Sequence, residues 1–407
     1  MKKNIQADKK SVLFPEYFRV GDHFYQTIIS YNGDEPYLKR VTLKKSTLVD
    51  MKGREFVDNI PSYNDCIVWP SHLDYQPVIS KPGHGTYVNM YHRLNVQPKQ
   101  GRIETWEKLV NHIGGIQSEM LWDYIQLLYT KPTQILPVLC LVSSENGTGK
   151  TTFANALSYL FGQNVGFYGE SELDSQFSTW ILSLVAVFEE ISDTAKSLNK
   201  IKGFSTARNA TVNAKYQPLM HVTPFVKIVI LSNNEESVIK ATEHDIRYWV
   251  IKVPLLSDAE YDPEFEHKLR EEAPAVLHYL QSRKLSTEEK SRMWFAPELL
   301  QTSALREIIE ESRSNIIKEL EAFIEEKVAD IGSFYATPTV LRSVLSSKYD
   351  IYEISKALKK MGYKQEKQMR FTDLWGVQKN GKPYFFEDKN GAIDDVACLD
   401  DEKDLPL

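Results

Sequence analysis

The stretch Ser144-Glu145-Asn146-Gly147-Thr148-Gly149-Lys150-Thr151-Thr152 has the form of a phosphate-binding loop (P-loop) followed by the start of a helix. Such a loop works because glycines let backbone N–H groups turn toward the phosphates, a lysine reaches the β and γ oxygens, and a hydroxyl holds Mg²⁺. All nine residues are candidate nucleotide-binding residues. The main roles fall to Gly147, Gly149, Lys150 and Thr151, while Ser144 replaces the usual first glycine.

The segments on both sides of the loop have the character that this motif requires. Leu136 to Val142 is apolar and predicts a short buried strand, and Thr152 to Phe161 has apolar residues at helical spacing. This context places bound phosphates at a helix N-terminus, where free N–H groups favour anions. The alternative is a chance Gly-Lys-Thr string in a surface loop, and the flanking strand and helix argue against it.

Length and composition indicate an ordinary globular protein with several domains. The chain has 407 residues, 42% hydrophobic and 26% charged residues, and a net charge of −6, so its overall charge identifies no partner. Cys66, Cys140 and Cys398 are far apart and form no zinc-binding spacing, which favours a reducing compartment. The N-terminus lacks an apolar signal segment, and no long apolar run occurs. We expect a cytoplasmic protein without a membrane span.

The pattern along the chain predicts an α/β fold. Strands and helices alternate after residue 133, which is typical of a largely parallel sheet. In the N-terminal region, His23 to Tyr31 and Tyr37 to Leu43 predict strands. The predicted segments are a β-rich N-terminal region of unknown role (1–98), a helical connector (99–132), the P-loop core (133–255), a helical subdomain (256–330), a winged-helix-like domain (331–386) and an acidic disordered tail (387–407).

The winged-helix-like segment is predicted from two short amphipathic helices, Pro338 to Leu345 and Tyr352 to Met361, followed by a hairpin that turns at Asn380-Gly381. Between Arg342 and Lys382 there are ten Lys or Arg against four Asp or Glu. This excess suits contacts to nucleic-acid phosphates. A small protein-docking domain with a solvated charged face is the alternative.

An acidic pair follows the next apolar strand after the loop. Ile181 to Phe188 predicts a buried strand that ends in Glu189-Glu190, and such a strand end lies near the P-loop mouth of an α/β sheet. One carboxylate there would hold Mg²⁺ and the other would orient the attacking water. We assign Glu189 to the metal and Glu190 to the water. Taken alone, an apolar strand ending in two glutamates is more often structural.

Two further polar residues come at strand boundaries. Lys227 to Leu231 predicts a buried strand followed by Asn233 and Asn234, and an amide there would bind the γ-phosphate and the attacking water. We favour Asn233, although such a pair is otherwise a turn signal. Arg247 precedes the strand-like Tyr248 to Ile251, and its guanidinium would neutralise charge at a γ-phosphate. The alternative is a surface Arg247 paired with Glu243 or Asp245.

In order and spacing, these motifs resemble superfamily 3 helicases, above all the helicase part of phage and mobile-element primase-helicases. The resemblance covers residues 136 to 255, under a third of the chain. It implies an AAA+-like core that uses ATP and Mg²⁺, assembles into a homo-oligomeric ring, usually a hexamer, and translocates along one DNA strand in the central channel. It also places a DNA-contacting hairpin at Thr211 to Val222, with Lys215, Tyr216 and His221 as candidate contacts.

The resemblance leaves two departures. Relatives often have paired arginines where this chain has Ile246-Arg247, and the N-terminal region offers no recognisable primase site, so a separate primase is expected. The sequence therefore predicts an ATP-dependent DNA helicase or translocase for replication of a phage, plasmid or integrated element in a bacterial cell. Two alternatives stay open, namely an ATP-switched replication initiator that binds DNA without processive unwinding, and an ATPase that remodels proteins.

Overall fold

The computed structural model describes residues 15–32, 35–175, 178–191, 195–205, 207, 209–212, 220–235, 238–239, 241, 245–256, 262–345 and 349–387. The chain divides into two compact units, Met1–Arg306 and Glu307–Leu407. The finer division into six segments stays a prediction, and the acidic tail lies outside the described residues beyond residue 387. None of the helices that the structure describes is both long enough and apolar enough to cross a membrane.

The N-terminal region is β-rich, as predicted, and its strands form two small sheets. The order in one sheet is β3-β2-β1-β4 and in the other β5-β7-β6. β2 pairs antiparallel with β3, which confirms both strands predicted there. The elements are β1 (Tyr17–Val20), β2 (His23–Asn32), β3 (Glu35–Leu43), α1 (Lys45–Lys52), α2 (Arg54–Asp58), β4 (Ser62–Tyr63), β5 (Asp65–Ile67), β6 (Val78–Lys81) and β7 (Gly85–Asn89).

Buried polar contacts fix the N-terminal region to the rest of the first unit. Arg40 of β3 donates to the carbonyls of Asn89 and Met90, at 3.1 and 3.0 Å, and so joins the two sheets. Asn164 donates to the carbonyl of His92 at 2.8 Å and accepts from the His92 N–H at 3.2 Å. Because each contact satisfies buried polar groups, the two parts of the chain are held in one arrangement.

The connector and core supply alternating helices and strands. The segment predicted as a helical connector contains α3 and α4, and the apolar side chains of both helices are buried. The elements are α3 (Glu104–Gly114), α4 (Ser118–Thr130), β8 (Val138–Val142), α5 (Lys150–Phe161), β9 (Val165–Tyr168), α6 (Glu170–Asp174), β10 (Val185–Glu189), α7 (Ala195–Phe204), β11 (Ala210–Val212), β12 (Met220–Val222), β13 (Lys227–Ser232) and β14 (Tyr248–Lys252), followed by α8 (Phe265–Ser282), α9 (Pro297–Leu300) and α10 (Ser303–Ile331).

In the described part of the chain, five strands form an all-parallel sheet in the order β14-β8-β13-β10-β9. The residues of β8 and β13 are buried throughout, as expected for central parallel strands covered on both faces. The register aligns Val142 with Ser232 and Lys252. Because the strands are parallel, the segments that follow β8, β10 and β13 emerge at one edge of the sheet.

The strand predicted from Ile181 begins later than expected. Thr179–Leu182 is a turn of 3₁₀ helix, and β10 starts at Val185. Trp180 packs edge-on against Phe188 and Phe204 in this turn. The apolar run therefore contains two elements, since an apolar stretch alone does not distinguish a buried turn from a buried strand.

The second unit has a helix-and-strand arrangement with its own apolar core. β15 pairs antiparallel with β18, and β16 with β17. Side chains of the second half of α10 pack with Phe334, Leu358 and Phe386. The remaining elements are β15 (Ser333–Ala336), α11 (Pro338–Val344), α12 (Ile351–Lys360), β16 (Met369–Thr372), β17 (Gln378–Gly381) and β18 (Tyr384–Glu387).

The turn predicted at Asn380-Gly381 is wrong, because these residues belong to β17, where Asn380 pairs with Arg370. The hairpin turns earlier, between Asp373 and Val377. The Asp373 carboxylate accepts from the N–H groups of Trp375 and Val377, both at 3.0 Å, and Gly376 adopts φ 78°. An Asp side chain that accepts from the backbone two residues further on favours a turn, and the sequence analysis missed this signal.

A buried lysine begins β13, at the end of the sheet opposite the P-loop. The Lys227 ammonium group donates to the carbonyls of Phe225, at 2.7 Å, and Pro132. Burial lowers the pKa of Lys227 to about 7, whereas its ordinary value is near 10.5. The unfolded chain therefore binds a proton that the folded chain lacks across this interval. The free energy of unfolding should rise with pH between about 7 and 10.5, by on the order of 5 kcal/mol in all.

We expect Lys227→Met to remove this dependence. As the pH is raised from 7 to 9, the free energy of unfolding of the wild type should therefore rise relative to that of the variant. Urea unfolding at several pH values measures it, with Lys284→Met, a change at an exposed lysine, as the control. Parallel curves for wild type and Lys227→Met would show that Lys227 stays protonated in the folded chain.

Candidate nucleotide-binding site

The predicted P-loop lies between β8 and α5, at the C-terminal ends of the parallel strands. The strand and the helix predicted on its two sides are both confirmed. α5 begins at Lys150, and its first backbone N–H groups have no acceptors within the helix. The loop therefore presents unpaired donors and the positive end of the helix dipole at one point, which suits a phosphate group.

Glycine is required at two positions of the loop by backbone conformation. Gly147 and Gly149 have φ values of 71° and 85°, in the left-handed region that other residues avoid. A Cβ atom on Gly147 would meet no atom within 4 Å, so this side of the loop is open. Ser144 does not have a positive φ, which explains why the usual first glycine is dispensable in this chain.

The Lys150 ammonium group lies inside the loop and is held by its oxygens. It donates to the carbonyls of Glu145 and Ser143 at 3.2 and 3.3 Å and to Oδ1 of Asn233 at 3.0 Å. Burial lowers the pKa of Lys150, and the nearby carboxylates of Glu190 and Glu235 oppose this. The ammonium group thus lies at the mouth of the loop and is bound by uncharged acceptors. A phosphate would replace these acceptors, because charged acceptors bind an ammonium group more strongly.

Two residues that were predicted separately, Glu190 and Asn233, lie together at the mouth of the P-loop. Oε1 of Glu190 accepts a hydrogen bond from the backbone N–H of Asn233 at 3.1 Å. The Asn233 amide also donates to Oδ1 of Asn146 at 3.3 Å. Glu190, Asn233, Lys150 and Asn146 therefore form one connected chain of hydrogen bonds across the loop.

Glu190 adopts an unusual backbone conformation for its residue type. Its φ is 50°, in the left-handed region, which costs a non-glycine residue roughly 1–2 kcal/mol. The backbone N–H of Glu190 bonds to the carbonyl of Leu231 on the neighbouring strand at 3.0 Å, which holds this turn in place. The conformation directs the carboxylate toward Asn233 rather than along the strand.

The two residues predicted to bind Mg²⁺ are exposed at the C-terminal ends of the strands. Glu189 ends β10 and Thr151 lies in the first turn of α5. Mg²⁺ usually keeps several waters and takes one or two protein ligands together with phosphate oxygens. One carboxylate and one hydroxyl beside a P-loop therefore fit Mg²⁺ bound to a nucleotide. Thr152 follows Thr151 in the helix and is partly buried.

Two residues at the loop were missed by the sequence analysis. Oε1 of Glu235 accepts from the backbone N–H of Ser144 at 2.7 Å, and its other oxygen pairs with Lys252 at the end of β14. Burial alone would raise the pKa of Glu235, but the hydrogen bonds from Lys252 and Ser144 outweigh it and lower this pKa. The pair anchors the start of the P-loop to two neighbouring strands.

A histidine contacts the P-loop from the opposite side. Nε2 of His112, at the end of α3, lies 3.0 Å from the carbonyl of Thr148. Its ring also lies beside Gly149, together with Ile113 and Leu256. No pattern in the sequence connects residue 112 with the loop, because the contact depends on how α3 packs against α5.

The hairpin that the resemblance places between the acidic strand and the asparagine strand is present. β11 and β12 pair antiparallel, with Thr211 opposite His221. Lys215 and Tyr216 lie outside the described residues, as does the side chain of His221. Their predicted contacts with DNA stay predictions.

Arg247 lies far from the P-loop of its own chain. It precedes β14, whose first residue Tyr248 pairs with Val138 at the start of β8. The arginine therefore lies at the N-terminal ends of the strands, whereas the P-loop lies at their C-terminal ends. Five residues of strand separate these two ends by roughly 16 Å. Its Nε and Nη2 atoms donate to the buried Asp245 carboxylate, at 2.8 and 2.6 Å. Glu243, the other partner considered, is outside the described residues.

Comparisons with known proteins bear on the fold of the chain. A family of unknown function, DUF5906, matches residues 141–247, from β8 to Arg247. The apo structure of the NrS-1 C-terminal region (305–718) is similar to this chain, with 15% identity, a TM-score of 0.57, and coverage of 89% of this chain and 95% of that one. A second NrS-1 structure, the A form, is 14% identical, with a TM-score of 0.58 and coverages of 92% and 96%.

A JCV helicase structure is also similar, but it covers 53% of this chain and 62% of its own with a TM-score of 0.32, which carries no argument. No curated protein matches the sequence. The agreement with the NrS-1 region extends over nearly the whole chain at low identity, so it concerns the fold alone. This chain therefore shares the fold of the NrS-1 C-terminal region.

Proposed function

We propose that this chain is an ATP-dependent DNA helicase or translocase that serves the replication of a phage, plasmid or integrated mobile element. The proposal is carried by the connected hydrogen bonds from Glu190 through Asn233 to Lys150 at the mouth of the P-loop. A buried structural network would not require a strained glutamate at an exposed strand end. A site that must respond to a phosphate and position a water requires these groups together.

Each residue of this network has a separate task in the proposed reaction. Lys150 exchanges its loop acceptors for phosphate oxygens, and Asn233 turns its amide to the γ-phosphate and the attacking water. Glu190 orients that water and accepts its proton. Thr151 and Glu189 hold the Mg²⁺ ion, whose charge stabilises the phosphates when the nucleotide is bound. The contact from Asn233 to Glu190 links occupancy of the phosphate site to the position of the base.

Arg247 is proposed to act on the nucleotide of a neighbouring subunit. Its place at the far edge of the sheet excludes a contact with the phosphates of its own chain. Asp245 holds two of the guanidinium nitrogens and leaves Nη1 directed elsewhere. In a head-to-tail ring, a surface of one subunit faces the nucleotide-binding site of the next subunit. This arrangement suits a homo-oligomer, which we propose to be a hexamer.

DNA is the proposed partner of the central hairpin. A single strand in the ring channel would meet the tip between β11 and β12, with Lys215 for phosphates and Tyr216 and His221 for bases. The second unit is proposed to be a winged helix, which is supported by its order of helix, strand, two helices and three strands and by the pairing of β15 with β18. Priming would fall to a separate primase.

One observation favours a second candidate function, an ATP-switched replication initiator. The second unit exposes basic residues on α12 and on the β16–β17 hairpin, which a pure single-strand motor would not need. An initiator would hold one duplex sequence and hydrolyse ATP slowly.

The deciding experiment is steady-state ATP hydrolysis by the wild type with and without single-stranded DNA of mixed sequence. We expect a several-fold stimulation, because a motor couples turnover to movement along any strand. Displacement of the strand of a forked duplex then separates the two candidates. Stimulation without displacement would favour the initiator, and turnover unchanged by any DNA would favour a protein remodeller.

A further inference from the structure

Three successive backbone N–H groups are engaged where the chain enters the P-loop, at residues 143–145, which are named here the loop entry. The Ser143 N–H donates to the carbonyl of Ser232 at 3.1 Å, and the Glu145 N–H donates to Oγ of Ser143 at 3.4 Å. Between them, the Ser144 N–H donates to Oε1 of Glu235 at 2.7 Å. This bond is the shortest of the three and its acceptor is a carboxylate, so it is the strongest of them.

The next N–H groups of the loop are not used in this way. Among the described residues, none accepts a hydrogen bond from the N–H groups of residues 146–149. Backbone N–H groups of a P-loop bind phosphates, so these donors are available to a nucleotide. The loop entry is therefore fixed before a nucleotide binds, while the interior of the loop keeps its donors.

The Glu235 carboxylate is itself fixed at both oxygens. Its second oxygen pairs with the ammonium group of Lys252, the last residue of β14. In the register of the sheet Lys252 lies beside Val142, and Val142 lies beside Ser232. Glu235 therefore joins the turn after β13 to the loop entry after β8 and to the end of β14, and these three strands are adjacent in the sheet.

A negative charge at this place opposes the binding of ATP. Burial lowers the pKa of Lys150, and the charges of Glu190 and Glu235 act in the opposite direction, so Glu235 lies within electrostatic range of this ammonium group. A carboxylate near the phosphate-binding lysine repels phosphates as well. The pair with Lys252 offsets part of this repulsion. The charge of Glu235 is thus no advantage for ATP binding, and its use lies in the acceptor that it offers to Ser144.

We propose that Glu235 is a positioning residue that holds the loop entry in the conformation that binds ATP, an inference that rests on the proposed ATPase function. Through Oε1 it fixes Ser144, which stands where the motif usually has its first glycine. The carbonyls of Ser143 and Glu145, on either side, accept from the Lys150 ammonium group. The same bond therefore also fixes the acceptors that hold this lysine at the mouth of the loop.

The turn that carries Glu235 also carries the proposed γ-phosphate sensor. Asn233 precedes Glu235 by two residues, and its Oδ1 accepts from the Lys150 ammonium group at 3.0 Å. The Asn234 N–H bonds to Oγ of Ser232 at 3.0 Å and so tightens this turn. One turn thus sets the distance between the loop entry and the sensing amide. Without the Glu235 bond, the entry would have to be ordered when ATP binds, and this loss of conformational freedom weakens binding.

Steady-state ATP hydrolysis by the full chain, beside titration with a fluorescent nucleotide, tests the role of Glu235. We expect Glu235→Ala to raise the KM for ATP at least about tenfold, because a hydrogen bond to a charged group is lost. Once ATP is bound, its phosphates hold the loop, so kcat should stay within about threefold of the wild type. Irreversible loss of folded protein would instead lower the apparent kcat at an unchanged KM.

Glu235→Gln is the matched control, because it keeps an oxygen acceptor for the Ser144 N–H and removes the charge. Its KM should equal that of the wild type or fall below it, since the repulsion of phosphates is removed too. Lys252→Met keeps the acceptor and should raise KM less than Glu235→Ala does. A wild-type KM in Glu235→Ala would overturn the inference, as would an equally raised KM in the Ala and Gln variants or a larger rise in Lys252→Met.

This role of Glu235 and the proposed function fail in different ways. Turnover that no DNA stimulates would exclude the helicase and leave the comparison of KM values intact. Turnover that DNA stimulates, together with a wild-type KM in Glu235→Ala, would keep the helicase and overturn the role of Glu235. A wild type that binds no fluorescent nucleotide would overturn both.

Discussion

Replacing Lys150 with alanine should lower the turnover of ATP hydrolysis at least about a hundredfold, because it removes a positioned cation from the place where phosphate charge develops. In the structure this ammonium group is surrounded by acceptors of the loop and by Asn233, and it forms no ion pair with any residue in the described part of the chain. It is therefore available to a phosphate at the cost of a few neutral hydrogen bonds. The measurement is steady-state phosphate release at saturating ATP, beside titration with a fluorescent nucleotide.

The variant should remain folded, which makes the loss of turnover interpretable. Burial lowers the pKa of Lys150, so the cation is partly desolvated and its removal relieves that cost. We expect a thermal midpoint close to that of the wild type, and Lys284→Ala should match the wild type in both assays. Wild-type turnover in Lys150→Ala would mean that residues 144–152 do not form the catalytic phosphate site.

The parts of the site that lie in one short stretch of sequence could be predicted. Gly147, Gly149 and Lys150 act within a single loop, and the strand and helix beside it are local patterns. Glu190 and Asn233 could be predicted because each directly follows a parallel strand, and the ends of parallel strands meet at one edge. The structure brings these two residues into contact, as that rule requires.

Contacts between elements that are distant in sequence could not be predicted. Glu235 reaches the Ser144 N–H only because β13 pairs beside β8, and His112 reaches Thr148 only because α3 packs near α5. Arg247, by contrast, precedes the parallel strand β14, so the same rule about strand ends accounts for its position at the opposite end of the sheet. The hairpin turn was misplaced for a different reason, since Asp373 caps it through the backbone at residues 375 and 377.

Glu190→Gln and Arg247→Ala should each abolish hydrolysis alone, yet a mixture of the two variants should recover activity. Glutamine keeps the hydrogen-bond acceptor for the Asn233 N–H but cannot take a proton from water, so nucleotide binding should persist while turnover falls at least about a hundredfold. Arg247 lies at the other edge of the sheet, so its loss should damage the site of the adjoining subunit and leave its own intact.

The expected recovery has a definite size. In a ring assembled at random from equal amounts of both variants, a site works when an Arg247→Ala subunit supplies Glu190 and its neighbour supplies Arg247. Roughly a quarter of the sites meet this condition, since each head-to-tail interface draws its two members independently. Turnover near that fraction of the wild type would place Arg247 in trans. Activity no higher than that of the separate variants would instead leave Arg247 as the ion-pair partner of Asp245, holding the start of β14.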